Sequence, residues 1–107
     1  MDDALNAPYF QVSLDLDATP PAVAASGELD AASTGSLRTA VDDALAAGRG
    51  LDLQLGEVTF IDSSALRVIT VALRHASESA QPFTVSSASD AVRRIFEITG
   101  VSSLLDA

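Results

Sequence analysis

The stretch Leu51-Asp52-Leu53-Gln54-Leu55-Gly56-Glu57-Val58-Thr59-Phe60-Ile61-Asp62-Ser63-Ser64-Ala65-Leu66 changes its hydrophobic period part-way along. Leu51, Leu53 and Leu55 alternate with Asp52 and Gln54, the period of two of a strand with one buried face. Gly56–Ile61 then leads to a small polar run, Asp62-Ser63-Ser64. Beyond it Leu66, Ile69, Leu73 and Ala76 recur at helical spacing. A strand that passes through a short polar turn into an amphipathic helix is the leading half of a β-α-β unit, so the stretch points to an α/β fold.

The flanks extend this reading. Upstream, Phe10, Val12, Leu14 and Leu16 alternate with Gln11, Ser13, Asp15 and Asp17, a first strand that Pro20-Pro21 breaks. Ala22–Ser26 returns antiparallel to it. Leu37, Val41, Ala44 and Leu45 mark a helix that Asp30 or Ser33 caps and Gly48 and Gly50 end. Downstream, Phe83–Ser86 is a fourth strand. Ser89 or Asp90 caps a last helix bearing Val92, Ile95, Phe96 and Thr99, and Gly100 closes it. Val101, Leu104 and Leu105 make a final apolar turn, and residues 1–8 a flexible lead. The order is β-β-α-β-α-β-α. It predicts a four-stranded mixed, mostly parallel sheet with an N-terminal antiparallel hairpin, packed by three to four helices in one domain over residues 1–107. The β-α-β crossovers are right-handed, and the helices cover one sheet face more fully than the other.

Composition narrows the chemistry. The 107 residues hold six arginines and no lysine against 15 acids, for a net charge of −9, with no cysteine. That excludes thiol catalysis, cysteine-ligated metals, disulfides, the P-loop lysine and Schiff-base chemistry. An excess of acid disfavours nucleic acid and anionic membrane surfaces as partners. No apolar run approaches the ~18 residues of a membrane span, and Met1-Asp2-Asp3 is acidic where a signal peptide is basic. A soluble, cytoplasmic, monomeric protein without cofactor is the expectation.

Candidate sites are few. His75, the one histidine, follows Ser63 by twelve residues on one helix, a rise of ~18 Å that precludes a hydrogen bond. Ser79 is within reach of His75, but no third triad member or nucleophile elbow accompanies the pair. Asp42-Asp43 point to different azimuths and form a solvated face, not a metal site. Asp30 and Asp62 each precede a helix at the C-terminal end of a strand, where sites gather in parallel α/β sheets. By spacing alone both are capping residues. Asp62-Ser63-Ser64 also exposes a hydroxyl at the positive end of a helix dipole, where a phosphate is tolerated by the fold. An enzyme is not expected, because no nucleophile–base pair or metal-ligand set emerges.

Three segments resemble the STAS domain family, and most of all its stand-alone anti-sigma factor antagonists. Gly27-Glu28-Leu29-Asp30 matches the family's turn after the second strand. Val58–Leu66 matches its phosphorylation loop and helix start, and Ala91–Val101 its closing helix and turn. The resemblance runs in order over about residues 8–105. It implies a switch. The unphosphorylated antagonist binds an anti-sigma factor that is a serine kinase and so frees a sigma factor; phosphorylation ends the binding, and a PP2C-type phosphatase restores it.

Carried over by position, Ser63 is the phospho-acceptor, with Ser64 the lesser candidate whose hydroxyl caps the helix. Asp30, Asp62, Ser63, Ser64 and Arg67 line the partner surface. The chain departs from the family where glycines are usual: Ala65 and Arg67 follow the serines, and Ala80-Gln81-Pro82 replaces a glycine pair. Arg67 is placed to pair with Asp62, Glu57 or a phosphate on Ser63 and to alter which partner fits. The resemblance leaves one other role open, that of a non-switching accessory subunit of a transporter, a lipid-transport complex or a stress-signalling scaffold.

Overall fold

A computed structural model describes residues 9–100. The lead over residues 1–8 and the apolar turn of Val101, Leu104 and Leu105 lie outside the described residues. The elements follow in the order β1 (Phe10–Asp15), β2 (Ala22–Leu29), α1 (Thr34–Ala46), β3 (Leu51–Ile61), α2 (Ser63–Glu78), β4 (Phe83–Ala88) and α3 (Asp90–Thr99). The strands lie side by side in sequence order, β1-β2-β3-β4. β1 pairs with β2 antiparallel, while β2–β3 and β3–β4 are parallel. This is the mixed, mostly parallel sheet that the sequence predicts, with three helices among the described residues.

Alternation decides which face the helices cover. Val23 and Ala25 of β2 and Leu51, Leu53 and Leu55 of β3 are buried on one face. Against them pack Leu37, Val41 and Ala44 of α1, Ala65, Ile69, Ala72 and Ala76 of α2, and Val92 and Phe96 of α3, in one continuous core. Each leucine fully withdrawn from water contributes about 1.5–3 kcal/mol, so this face holds most of the stabilising burial. The other face carries Gln11, Ser13, Gln54 and Ser86 in solvent. There Asp52 accepts hydrogen bonds from Thr84 Oγ1 (3.0 Å) and Ser86 Oγ (2.9 Å), which tie β3 to β4 across the sheet.

Several boundaries differ from the sequence expectation, for identifiable reasons. β2 runs to Leu29, so Gly27-Glu28-Leu29 is strand and the turn begins only at Asp30. Gly27 adopts φ +81°, and the register slips between Gly27 and Glu28. The extra residue is Thr59 of β3, a bulge in the partner strand, so β2 continues past its glycine. A Cβ at Gly27 would run into the Tyr9 carbonyl oxygen, so glycine is required by both conformation and space. β3 is a single strand of 11 residues rather than a strand and a connector. Its alternation breaks after Leu55, where two consecutive exposed residues, Gly56 and Glu57, precede buried Val58, and that break hides the continuation. β4 reaches Ala88 instead of Ser86.

α3 begins where β4 leaves the sheet. The Ser89 amide donates to the Leu55 carbonyl (3.1 Å), and the Ser89 hydroxyl accepts from the Val92 amide (3.3 Å), so Ser89 rather than Asp90 is the cap. α3 then packs against β3, with Val92 and Phe96 wholly buried and Ile95 partly so. Thr99, read as part of the apolar stripe, is exposed and returns its hydroxyl to the Ile95 carbonyl (2.7 Å). Phe96 is the largest fully buried side chain, and it anchors this short helix. Phe96→Ala is expected to destabilise the fold by about 3–5 kcal/mol, seen as a lowered urea midpoint at unchanged slope. A shift below about 1 kcal/mol would mean that α3 is not anchored through Phe96.

Candidate functional site

The parallel strands β2 and β3 end together, with Leu29 opposite Ile61. The loops that follow are joined at once: the Asp62 amide donates to the Leu29 carbonyl (3.1 Å). Asp62 then leaves the sheet in an extended conformation, φ −112° and ψ −177°, as the N-cap of α2. Its Oδ1 accepts from the Ser64 amide (2.9 Å), the Ala65 amide (3.1 Å) and the Ser64 hydroxyl (2.6 Å). One carboxylate oxygen thus satisfies two of the N–H groups that any helix start leaves without partners.

These contacts hold the Asp62 carboxyl below its ordinary value of 3.8. The Ser64 hydroxyl is the main cause. Partial burial opposes it, and the amides of Ala65, Ser64 and, from the loop after β2, Ala31 reinforce it. Asp62 is therefore a fixed negative charge at neutral pH, on the positive end of the α2 dipole. Ser64 is not the cap, as the sequence reading had it; its hydroxyl donates to the residue that is.

Ser63 is placed differently from its neighbour. It occupies the first position of α2, is exposed, and its hydroxyl makes no hydrogen bond to any described residue. Two adjacent serines are thus divided by the helix geometry into one engaged hydroxyl and one free hydroxyl.

Asp30 lies in the loop next door, and it caps a turn rather than α1. Its Oδ1 accepts from the Ala32 amide (3.0 Å). Ser33 occupies the N-cap position of α1 but makes no side-chain cap. It is wholly buried; its hydroxyl accepts from the Asp30 amide (2.8 Å) and donates toward the carbonyls of Glu28 (3.2 Å) and Asp30 (3.1 Å). Ser33 therefore staples the loop that carries Asp30 and Ala31 to the end of β2. Sequence reasoning offered it only as a helix cap, and its position three residues after Asp30 was the available signal.

Arg67 stands apart from this cluster. The pairs expected with Asp62 and Glu57 are not formed: Asp62 is held by serine and backbone groups, and Glu57 is in register with Ser26 on the uncovered face of the sheet. Arg67 instead lines a groove between α1 and α2. The His75–Ser79 contact is also not catalytic in form, because the Ser79 hydroxyl donates to the His75 carbonyl (2.7 Å) and not to its ring. No group of three or more His, Asp or Glu side chains suited to a metal occurs among the described residues. No helix of the described residues is long and apolar enough to cross a membrane.

Comparison with known proteins agrees with this architecture. A family model described as "Mlab, STAS domain" matches residues 12–106. Among solved structures, an anti-sigma factor antagonist from Mycobacterium paratuberculosis superposes with a TM-score of 0.77 at 22% identity, over 88% of this chain and 80% of that one. The anti-sigma factor antagonist SpoIIAA in its unphosphorylated form gives 0.75 at 20% identity, over 88% and 84%. The Bacillus cell fate determinant SpoIIAA in the phosphorylated form gives 0.69 at 19% identity, over 88% and 87%.

The Asp62 cap sets a stability expectation with a definite sign. A carboxyl whose value is lowered on folding contributes stability above its unfolded value, and that contribution fades as the pH falls through the lower, folded value. Asp62→Ala is expected to cost about 0.5–2 kcal/mol at pH 7. The difference from the parent protein should shrink on acidification below about pH 4, followed by thermal unfolding across pH. A cost that stays constant down to about pH 2 would show that the charge of Asp62 plays no part.

Proposed function

The chain belongs to the STAS domain family, and on that premise we propose that it is an anti-sigma factor antagonist that works by binding, with Ser63 as its switch. In this reading the unphosphorylated protein engages an anti-sigma factor serine kinase, and a sigma factor is released. Phosphate on Ser63 ends the complex, and a PP2C-type phosphatase restores it. The protein itself is a cytoplasmic monomer that needs no cofactor, catalytic group, nucleic acid or membrane.

The observation that carries the reading is the contrast between the two serines. A phosphate on Ser64 would displace its 2.6 Å bond to Asp62 and force a dianion against a carboxylate that anchors the helix. A phosphate on Ser63 would break no hydrogen bond among the described residues. It would sit at the positive end of the α2 dipole, which favours an anion. The fold is kept while the surface gains about −1.5 to −2 charges beside Asp62. A change confined to charge and shape at an exposed helix start is what a reversible binding switch requires. The likeness to solved antagonists, one unphosphorylated and one phosphorylated, supports the same role.

Asp30 and Asp62 flank the serine as partner-binding groups, with Ser64 setting the angle of Asp62. Because Asp30 and Asp62 are held by backbone amides, their carboxylates are presented without loss of side-chain entropy on binding. A cationic side chain on the kinase would meet both. Phosphate would then act by steric exclusion and by desolvation of added charge at a closed interface.

The test sets Ser63→Ala and Ser63→Asp beside the parent protein in a native-lysate pull-down, followed by titration of the kinase recovered. Ser63→Ala is expected to bind within about twofold of the parent and to resist phosphorylation by that kinase, while Ser63→Asp loses about tenfold or more in affinity. Both variants should unfold within about 0.5 kcal/mol of the parent, since Ser63 is exposed. Equal affinity of both variants for the kinase, or recovery of the same transporter or scaffold subunits by both, would sink the switch and favour the accessory role.

A further inference from the structure

The groove between α1 and α2 joins an apolar floor to two arginines. It encloses about 310 Å³. Its floor is apolar: Val41 of α1 and Val68 and Ala72 of α2 are buried in the core beneath it, and Val71 stands 53% exposed at its side. Its walls are basic, with Arg38 on α1 and Arg67 and His75 on α2; Asp42 is the one acid lining it. In a chain of net charge −9, two of the six arginines meet at this groove. Neither side chain donates a hydrogen bond to another described residue, whereas Arg49 is spent on the Leu16 carbonyl (2.8 Å).

We propose that this groove is a docking strip for an acidic amphipathic segment of a protein partner, with apolar side chains on the valine floor and carboxylates against Arg38 and Arg67. The charge pattern selects the occupant. A small anion would gain nothing from the valines, a wholly apolar helix would gain nothing from the arginines, and a basic segment would be repelled. An acidic helix with apolar residues at i and i+4 satisfies both features. The strip is continuous with the switch surface, because Arg67 lies one turn along α2 from Ser63. The proposal rests on the reading above only in taking the partner to be a protein.

The experiment needs no kinase, so its failure and the failure of the Ser63 switch are distinguishable. The full chain, labelled with 15N, is titrated with a synthetic acidic peptide carrying leucines at helical spacing flanked by glutamates. A second titration uses the same peptide with every glutamate replaced by lysine. Amide shifts are expected to cluster at Val41, Val68, Val71 and His75 with the acidic peptide alone, and to weaken as salt is raised, because exposed charges are screened. The double variant Arg38→Gln/Arg67→Gln should lose about fivefold or more in affinity. Arg93→Gln/Arg94→Gln, which removes the same charge from α3, should not. The proposal is overturned if the acidic peptide shifts residues elsewhere or none, if the lysine peptide binds the groove equally well, or if the α3 double variant loses as much.

Discussion

One carboxylate oxygen, Oδ1 of Asp62, fixes the geometry on which the rest of this end of the molecule depends. It closes the first turn of α2 through two amides and orients the Ser64 hydroxyl, while the Asp62 backbone is tied to the last residue of β2. The direction of α2 is thereby set relative to the two central strands, and with it the burial of Ala65 and Ile69 against the sheet. The same bonds determine which serine hydroxyl is left over. The free Ser63 hydroxyl is a consequence of how Asp62 is satisfied, so the capping role of the aspartate is compatible with the binding role proposed for it.

The sheet contributes a second constraint. The three helices share one core against the sheet, and the uncovered face is closed by small polar side chains and by the Asp52 bonds to Thr84 and Ser86. That face has few large apolar groups to offer a partner. The chemistry instead collects where β2 and β3 end and α1 and α2 begin, which is where parallel strands deliver helix N-termini and loops to one edge. Ser33 is the support for this arrangement from the β2 side. A wholly buried hydroxyl with three backbone partners holds the loop so that the Ala31 amide faces Asp62.

How much of this was legible in the sequence depended on whether a signal was local. Element type and order were, because periods of two and of 3.6 are set by side chains a few residues apart. Glycine was misread at Gly27: as a local signal it marks a break, and only the partner strands show that it pairs with Phe10 and Val58 within a continuous strand. The second half of β3 was obscured for a related reason, since the strand's alternation slips at Gly56 and Glu57. At the site, Asp62 and Ser63 were legible because a cap and its first helical residue are neighbours in sequence. The resemblance set Ser63 apart from Ser64, but that the Ser64 hydroxyl donates to Asp62 instead of capping the helix itself depends on a hydroxyl rotamer that spacing does not show. Arg67 was misplaced because spacing along one helix cannot show that α1 supplies the other wall of its groove.

The replacement of small residues after the serine pair gains meaning from that groove. In a family where glycine is usual at this point, a side chain as long as arginine, one turn below Ser63, changes the surface without touching the core. Ala65 beside it is fully buried and adds helix propensity where a glycine would subtract it. The two substitutions therefore act at different levels: Ala65 stiffens the start of α2, and Arg67 adds charge to its exposed stripe. A stiffer helix start presents the Ser63 hydroxyl and the Asp62 carboxylate in one geometry, which favours a partner shaped to it and penalises others. Under the proposed binding role, a positive charge alongside favours a partner that brings acid to the α1–α2 side and a cation to the Asp30–Asp62 side. A surface of mixed sign, built on a chain that is otherwise strongly acidic, discriminates among binding surfaces by charge even where the backbone fold is shared.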